Sequence, residues 1–422
     1  MTVELPGGDY DPFEFLDRST GGDTVRDPYP EWALLRNEAG IHHVATTESP
    51  LPIVAAESPS EAEPGYYAAV SYDAVSEVLK DGERFSSAGY ADFLRPVMGR
   101  TILEMDEPEH RSYRGLVAQA FTRTAVEGWI DALVEPIIRQ HIARFAADGK
   151  ADLVKHLAFS FPVQVIAGML GLPDRDWRDF HRWAVELISA AYDWDRAVAA
   201  SAALEDFFAP LVTHRRVELS DGAGVARTDL LSALVRAELD GERLGDAEIF
   251  AFLRLLLPAG AETTSRVFSS LLFGLLTNPD QLHAVRADRS LVPQAIEEAL
   301  RWEPPLTAIM RTATVDTVVT GVPVPAGAII SVIVGAANRD EARWPNADQF
   351  DIFRDQKPHI AFASGPHTCL GIHLGRMEMV VALNLVLDLL AGLALDPDAD
   401  DVHISGAEFR SAKSLPVVFD PR

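Results

Sequence analysis

The chain has a single cysteine, Cys369, among 422 residues. One thiol excludes an internal disulfide framework, and without a C-x-x-C pair it disfavours structural zinc, which needs four Cys or His ligands. Basic residues are also scarce: 37 Lys and Arg face 63 Asp and Glu, so the formal charge is 37 − 63 = −26. An excess of that sign repels phosphate backbones, so nucleic acid is not an expected partner. Long apolar runs are missing too. The two most apolar stretches, residues 249–261 and 379–395, are broken by Arg254 and by Asn384 and Asp388, short of the roughly 18 clean residues a membrane span requires. The opening MTVELPGGDYDPFEFLDRST has neither the basic nor the apolar region of a secretory signal. With a lone thiol, which suits a reducing compartment, these absences point to a cytoplasmic protein.

What is present is an ordinary globular composition, 48% hydrophobic and 24% charged, long enough to bury a large core. Residues 1–30, rich in Pro, Gly and Asp, read as an irregular lead-in. A short helix over 31–38 and strands over 41–46 and 66–71 follow, separated by a Pro-, Ser- and Glu-rich stretch, 47–65, that reads as an atypical surface loop. Residues 109–300 carry apolar positions at three- and four-residue spacing and are mostly helical. Residues 314–319 and 329–334 read as strands around the turn-rich 321–327. A long irregular stretch after Asn338 ends in a helix over 371–390. Neither repeat nor linker is evident, so residues 1–422 are expected to form one domain, mainly α with small β-sheets.

The cysteine sits in a demanding context: Phe362, Gly365, His367, Cys369 and Gly371 fit the spacing F-x-x-G-x-H-x-C-x-G. Five fixed matches arise by chance on the order of once in ten million windows, so coincidence is a poor explanation. A lone Cys is usually an inert small hydrophobe. Here the glycines permit close backbone approach, and a helix starting just after Cys369 aims free N–H groups and the positive dipole end at the sulfur. Those are the conditions that favour a metal-ligating thiolate. His367 is suited to an acidic group on a cofactor.

A second pattern lies inside the apolar helix that begins near Asp246: Pro258, Ala259, Gly260, Ala261, Glu262, Thr263. An acid in such a run is costly unless solvated, paired or functional. Pro258 removes a helix hydrogen bond and Gly260 a side chain, which predicts a kinked, thin segment able to admit dioxygen and water. The bland alternative is a helix-bending Thr beside a solvent-facing Glu. Glu298 and Arg301 share a helix face at i, i+3 and can pair, as do His110 and Arg114 at i, i+4 behind Pro108. Taken singly, each is more often a solvated surface charge.

Together, in this order, the four motifs resemble the cytochrome P-450 family of haem-thiolate monooxygenases, in the soluble bacterial form. The resemblance implies the cytochrome P-450 fold enclosing one haem b, iron ligation by Cys369, and propionate contacts from His110, Arg114, Arg311 and His367. Phe362, Gly365 and Gly371 would shape the cofactor loop. Thr263 would hydrogen-bond the dioxygen or its water, and Glu262 would relay the protons that oxygen activation consumes. Glu298 and Arg301 would form the family's buried structural pair, with Arg354 as third member, although Ala347 stands where the family has proline. The implied reaction is insertion of one oxygen atom from O2 into an organic substrate. Electrons would come from NAD(P)H through a ferredoxin reductase and a ferredoxin docked near Arg111, Arg114, Arg123 and Arg376. A peroxide-driven peroxygenase, a haem-based sensor and a colourless globular protein are the rivals. Candidate pocket residues are Phe93, Leu94, Met98, Leu255, Ala259, residues 307–309 including Thr307 and Ile309, and Phe409. They are mainly apolar and point to a lipophilic substrate, although each alone reads equally as core packing.

Overall fold

The computed structural model describes residues 10–22, 24–44, 65–172, 177–220 and 228–422. Helices dominate it. The longest, Asp246–Thr277, runs 32 residues through the interior, and most of its positions are buried, from Ile249 to Leu276. A helix buried around most of its circumference can afford few polar residues unless they are paired. Its acids, alcohols and open positions are therefore informative. The proline at 258 lies within this one continuous helix, and Gly260 lets Ile166 pack against it: a Cβ there would stand 2.6 Å from the Ile166 Cδ1.

One hydrophobic cluster links residues from Val97 to Phe419 and includes the central helix, Trp177–Ile188, Val292–Trp302 and Ile372–Leu389. To one side lies a five-stranded sheet in the order Ile41–Val44, Tyr66–Ala69, Ile329–Ile333, Ala308–Ala313, Phe85–Ser86. Its second and third strands pair in parallel and the other neighbours antiparallel. A small sheet joins Ala394–Leu395, Pro416–Val418 and Lys150–Asp152, and a hairpin pairs Ile404–Ser405 with Ser411–Ala412.

Three expectations need correction. Residues 1–30 are not irregular throughout, because Pro12–Ser19 is helical. Asp11 caps it, accepting hydrogen bonds from the Phe13 and Glu14 amides, Pro12 occupies the first turn, and Leu16 is buried. The second helix starts at Tyr29. Residues 314–319 contribute only Thr317–Val319, which forms a hairpin with Val322–Val324 inside the supposed turn region, and the principal strand there is Ala308–Ala313. The 47–65 loop lies outside the described residues apart from Gly65.

Candidate haem-thiolate site

The irregular segment before the last long helix is fixed by its own backbone. The Cys369 amide donates to the Phe362 carbonyl at 2.9 Å, and the Thr368 amide and hydroxyl both donate to the Gly365 carbonyl. Ala363 and Gly365 have φ of +58° and +75°, a region costly for any residue with a Cβ. At Gly365 the reason is close approach: a Cβ would meet the Leu79 carbonyl oxygen at 2.4 Å. The loop is thus pressed onto the helix Tyr72–Lys80.

Gly371 caps the helix Ile372–Leu389, so Cys369 lies beside the helix start, as its spacing implied. Cys369 is accessible, yet enough protein surrounds it for burial to push its thiol pKa up. The Gly371 amide and the Arg114 and Arg376 charges act in the opposite direction. These are the amide and cationic influences that stabilise a thiolate.

Four cationic or imidazole groups gather here from distant parts of the chain. His110 and Arg114 come from the helix Glu109–Ala118, Arg311 from the strand Ala308–Ala313, and His367 from the loop. The His110 and His367 rings are 4.0 Å apart. Arg114 donates to the Thr368 carbonyl at 2.5 Å and Arg311 to the Met310 carbonyl at 2.7 Å. Neither arginine has a carboxylate within 4 Å among the described residues. Burial, together with the Arg311, His110 and Arg114 charges, lowers the His367 pKa to about 3. The His110 ring is 1% exposed, and its Nε2 has no hydrogen-bond partner.

A buried Arg311 and a half-buried Arg114 without a carboxylate partner, beside an orphaned imidazole nitrogen, are uncompensated as they stand. They fit a group that carries carboxylates on one edge and accepts a sulfur ligand on its face. Haem b has that donor demand. Arg376, by contrast, is already neutralised. It makes two hydrogen bonds to Glu297, of 2.6 and 2.7 Å, while its guanidinium covers the Phe362 ring. Arg111 and Arg123 are exposed; Arg111 pairs with Glu107 just before its helix and Arg123 with Glu127 on its own helix.

The structural pair is closed. Glu298 and Arg301, each 2% exposed, meet through two hydrogen bonds of 2.7 and 2.8 Å. Arg354 does join them, at 3.4 Å from Glu298, and reaches the Asn346 and Gln349 carbonyls. Arg301 also donates to the Ala347 carbonyl, so the position where proline was expected supplies a backbone acceptor.

The central helix approaches the cysteine segment from the other side: a Cβ on Gly375 would lie 4.0 Å from the Thr264 hydroxyl. Midway along this mostly buried helix Leu255, Ala259 and Thr263, spaced by four and so on one face, are partly or fully accessible, as are Leu256 and Gly260 beside them. The Thr263 hydroxyl donates to the Ala259 carbonyl at 2.6 Å. Glu262 turns elsewhere. Its carboxylate lies 3.2 Å from Arg266 and 3.3 Å from the His181 ring, and Arg266 continues to Asp17 at 3.0 Å. Burial opposes ionisation of Glu262, but the Arg266 and His181 contacts hold its pKa below the usual value. A cleft of about 760 Å³, lined by Asp17, Ser265, Arg266, Ser269 and Ser411 among others, opens onto this carboxylate.

Two of the predicted pocket residues do not line an open space. Met98 is 2% exposed and packs in the core. Thr307 is fully buried because its hydroxyl donates to the Ala407 carbonyl at 2.6 Å. Phe93, Leu94, Ile309 and Phe409 are partly accessible. Reading the sequence missed His181 and Asp17, which carry no local motif.

Fold and site together define a haem-thiolate oxidoreductase. The family profile described as Cytochrome P450 matches residues 179–390. Cytochrome P450 107B1 of Saccharopolyspora erythraea is 36% identical over 81% of this chain and 82% of its own length. A steroid C26-monooxygenase of Mycobacterium tuberculosis is 36% identical over 85% of this chain and 95% of its own length. Among solved structures, cytochrome P450 CYP109Q5 from Chondromyces apiculatus superposes with a TM-score of 0.82 at 30% identity, covering 96% of this chain and 98% of that one. The chain belongs to the cytochrome P450 family, and it is a monooxygenase of the bacterial kind. Among the described residues no helix is long and apolar enough to cross a membrane.

Proposed function

We propose that this chain is the terminal oxygenase of a ferredoxin-fed electron chain, placing one oxygen atom from O2 into a lipophilic substrate by hydroxylation or epoxidation. NAD(P)H is the electron source, through a separate ferredoxin reductase. The observation that carries the reading is the accessible stripe Leu255, Ala259, Thr263 on the mostly buried central helix, which meets the helix that starts beside Cys369. When bound, haem supplies the one-electron redox chemistry and the activation of dioxygen.

The protein's share is holding, excluding and protonating. Cys369 would supply the sulfur ligand. His110, Arg114, Arg311 and His367 would hold the acidic edge, which would relieve the uncompensated charge described above. Phe362 walls the loop side, and Gly365 and Gly371 keep the backbone close. Thr263 offers a hydroxyl whose present acceptor, the Ala259 carbonyl, can be exchanged for a water or a reacting oxygen. Glu262 meets water in the 760 Å³ cleft and lies next to Thr263 in the chain, so it can pass protons inward from one side of the helix to the other. The partly accessible apolar groups Phe93, Leu94, Leu255, Ile309 and Phe409 suit a lipophilic substrate. The relative named for a steroid reaction and the low polarity of this lining both support a bulky, largely hydrocarbon skeleton.

The test is twofold. The reduced, carbon monoxide-bound absorption spectrum of the purified protein is expected to show the thiolate-type band; a histidine-type spectrum rejects the ligation. Reconstitution with ferredoxin, its reductase and NADPH is expected to consume NADPH in proportion to oxygenated product. Turnover with hydrogen peroxide alone, and none with that system, replaces this reading with a peroxygenase.

A further inference from the structure

Glu262 is held by two donors, one from its own helix and one from a neighbouring helix, and the second has no other hydrogen-bonding task. His181 projects from the helix Trp177–Ile188, which packs along the central helix. Its ring is 1% exposed. The Phe159 and Phe13 rings bracket it at 4.3 and 4.5 Å, and both line the cleft that opens onto Glu262. A ring packed in this way cannot turn without displacing its neighbours. The His181 Nε2 stands 3.3 Å from Glu262 Oε1, and Nδ1 is buried with no hydrogen-bond partner among the described residues. An ionised carboxylate only accepts, so Nε2 carries the ring hydrogen and donates it, which leaves Nδ1 as a bare lone pair. An orphaned nitrogen in an apolar bracket is destabilising, so packing alone would favour a third phenyl ring here. The bond to Glu262 is the one polar contribution the imidazole makes.

Arg266, the other donor, is divided. It reaches Glu262 at 3.2 Å, Asp17 at 3.0 Å and the Ser411 hydroxyl at 3.4 Å. Its charge also offsets part of the burial that pushes the Glu408 pKa up to about 7. Asp11, Glu14, Arg18, Lys155 and Lys413 line the same cleft, but among the described residues the ion pairs of Glu262 are those with Arg266 and His181. Each carboxylate oxygen thus has one donor. Arg266 supplies charge that it shares with other groups, and His181 supplies direction.

Resting on the proton-passing role proposed for Glu262, we propose that His181 is its positioning residue, fixing one carboxylate oxygen through Nε2–H so that the carboxyl takes up protons from the cleft in one defined orientation. His181 acts through Glu262 alone.

Two substitutions separate direction from packing. His181→Phe keeps an aromatic ring in the bracket and removes the donor, whereas His181→Gln offers an amide N–H in place of Nε2–H. Both are made in the wild-type and Glu262→Gln backgrounds, as holoenzyme. The Glu262 carboxyl is followed by NMR on protein labelled at the glutamate carboxyl carbon, in the diamagnetic reduced, carbon monoxide-bound state, with Glu262→Gln identifying the resonance. His181→Phe is expected to raise the titration midpoint by about one pH unit, the worth of a hydrogen bond to a charged group, because the lost donor favoured the ionised form. His181→Gln is expected to restore most of that shift. Oxygen uptake driven by ferredoxin, its reductase and NADPH is read in H2O and D2O. His181→Phe is expected to enlarge the solvent isotope effect as Glu262→Gln does, with no further increase in the double variant. An unmoved midpoint, equal shifts for Phe and Gln, or additive isotope effects each overturn the proposal and make His181 a packing residue. An isotope effect unchanged in Glu262→Gln overturns the relay reading, and the proposal with it, whatever the midpoint does. The carbon monoxide band of the same samples reports separately on the haem-thiolate reading.

Discussion

The two faces of the cofactor site carry opposite imbalances. On the cysteine side Arg114 and Arg311 converge with His110 and His367, and among the described residues the one carboxylate in contact with the group is Glu107, on His110. On the central-helix side Glu262 and Asp17 both pair with Arg266, and His181 lies against Glu262. An uncompensated buried charge is expensive, so each imbalance indicates what completes it. The first suits an anionic edge, and the second suits the passage of protons proposed for Glu262. The contrast also explains why the total charge of −26 gives no guide to the site: the sign changes within it.

The harshest way to break the contrast is to remove the group between the two faces. Cys369→Ala is expected to abolish the thiolate-type carbon monoxide band and reduce oxygenation to background. Next comes the acidic side. Glu262→Gln keeps the shape but removes the titrating group, and oxygenation is expected to fall by about a hundredfold, the lower range for a lost general acid, with an enlarged solvent isotope effect. Thr263→Ala is expected to keep its haem and its NADPH consumption while diverting reducing equivalents to peroxide, measured as the ratio of product to NADPH. Unchanged coupling removes Thr263 from proton delivery.

On the cationic side, Arg311→Ala is expected to weaken haem retention about tenfold, the worth of a charged hydrogen bond, measured by haem transfer to apomyoglobin. A stability measurement sharpens the contrast through Glu297, which keeps Arg376 out of the uncompensated set. Burial alone would raise the Glu297 pKa, but the His359 and Arg376 hydrogen bonds win and lower it to about 2. A depressed folded-state value means that its stabilisation is complete above about pH 4.5 and lost as pH falls towards 2. Glu297→Gln is expected to cost roughly 2 kcal/mol near neutrality, and to show a flatter stability profile between those pH values in chemical denaturation.

What the sequence disclosed followed from proximity along the chain. The cysteine loop, the Glu298–Arg301 pair and the His110–Arg114 pair are short-range patterns whose geometry follows from helix periodicity or a tight loop. The helix over 246–277 was legible because its apolar content leaves no other reading. The rest depended on distant partners. His181 is 81 residues from Glu262, and Asp17 is 249 from Arg266. Thr307 passed for a pocket residue because its acceptor lies 100 residues later. The helix Pro12–Ser19 was hidden by Gly, Pro and Asp, residues that disfavour a helix interior but serve its first turn.

That small peripheral helix has an outsized consequence. Asp17 supplies one of the two carboxylates that pair with Arg266, so detaching residues 12–19 would leave the guanidinium to Glu262 and free it to answer Glu408. A proteolytic nick at the outer edge would then retune acidity deep inside, lowering activity without touching the haem or any residue around it.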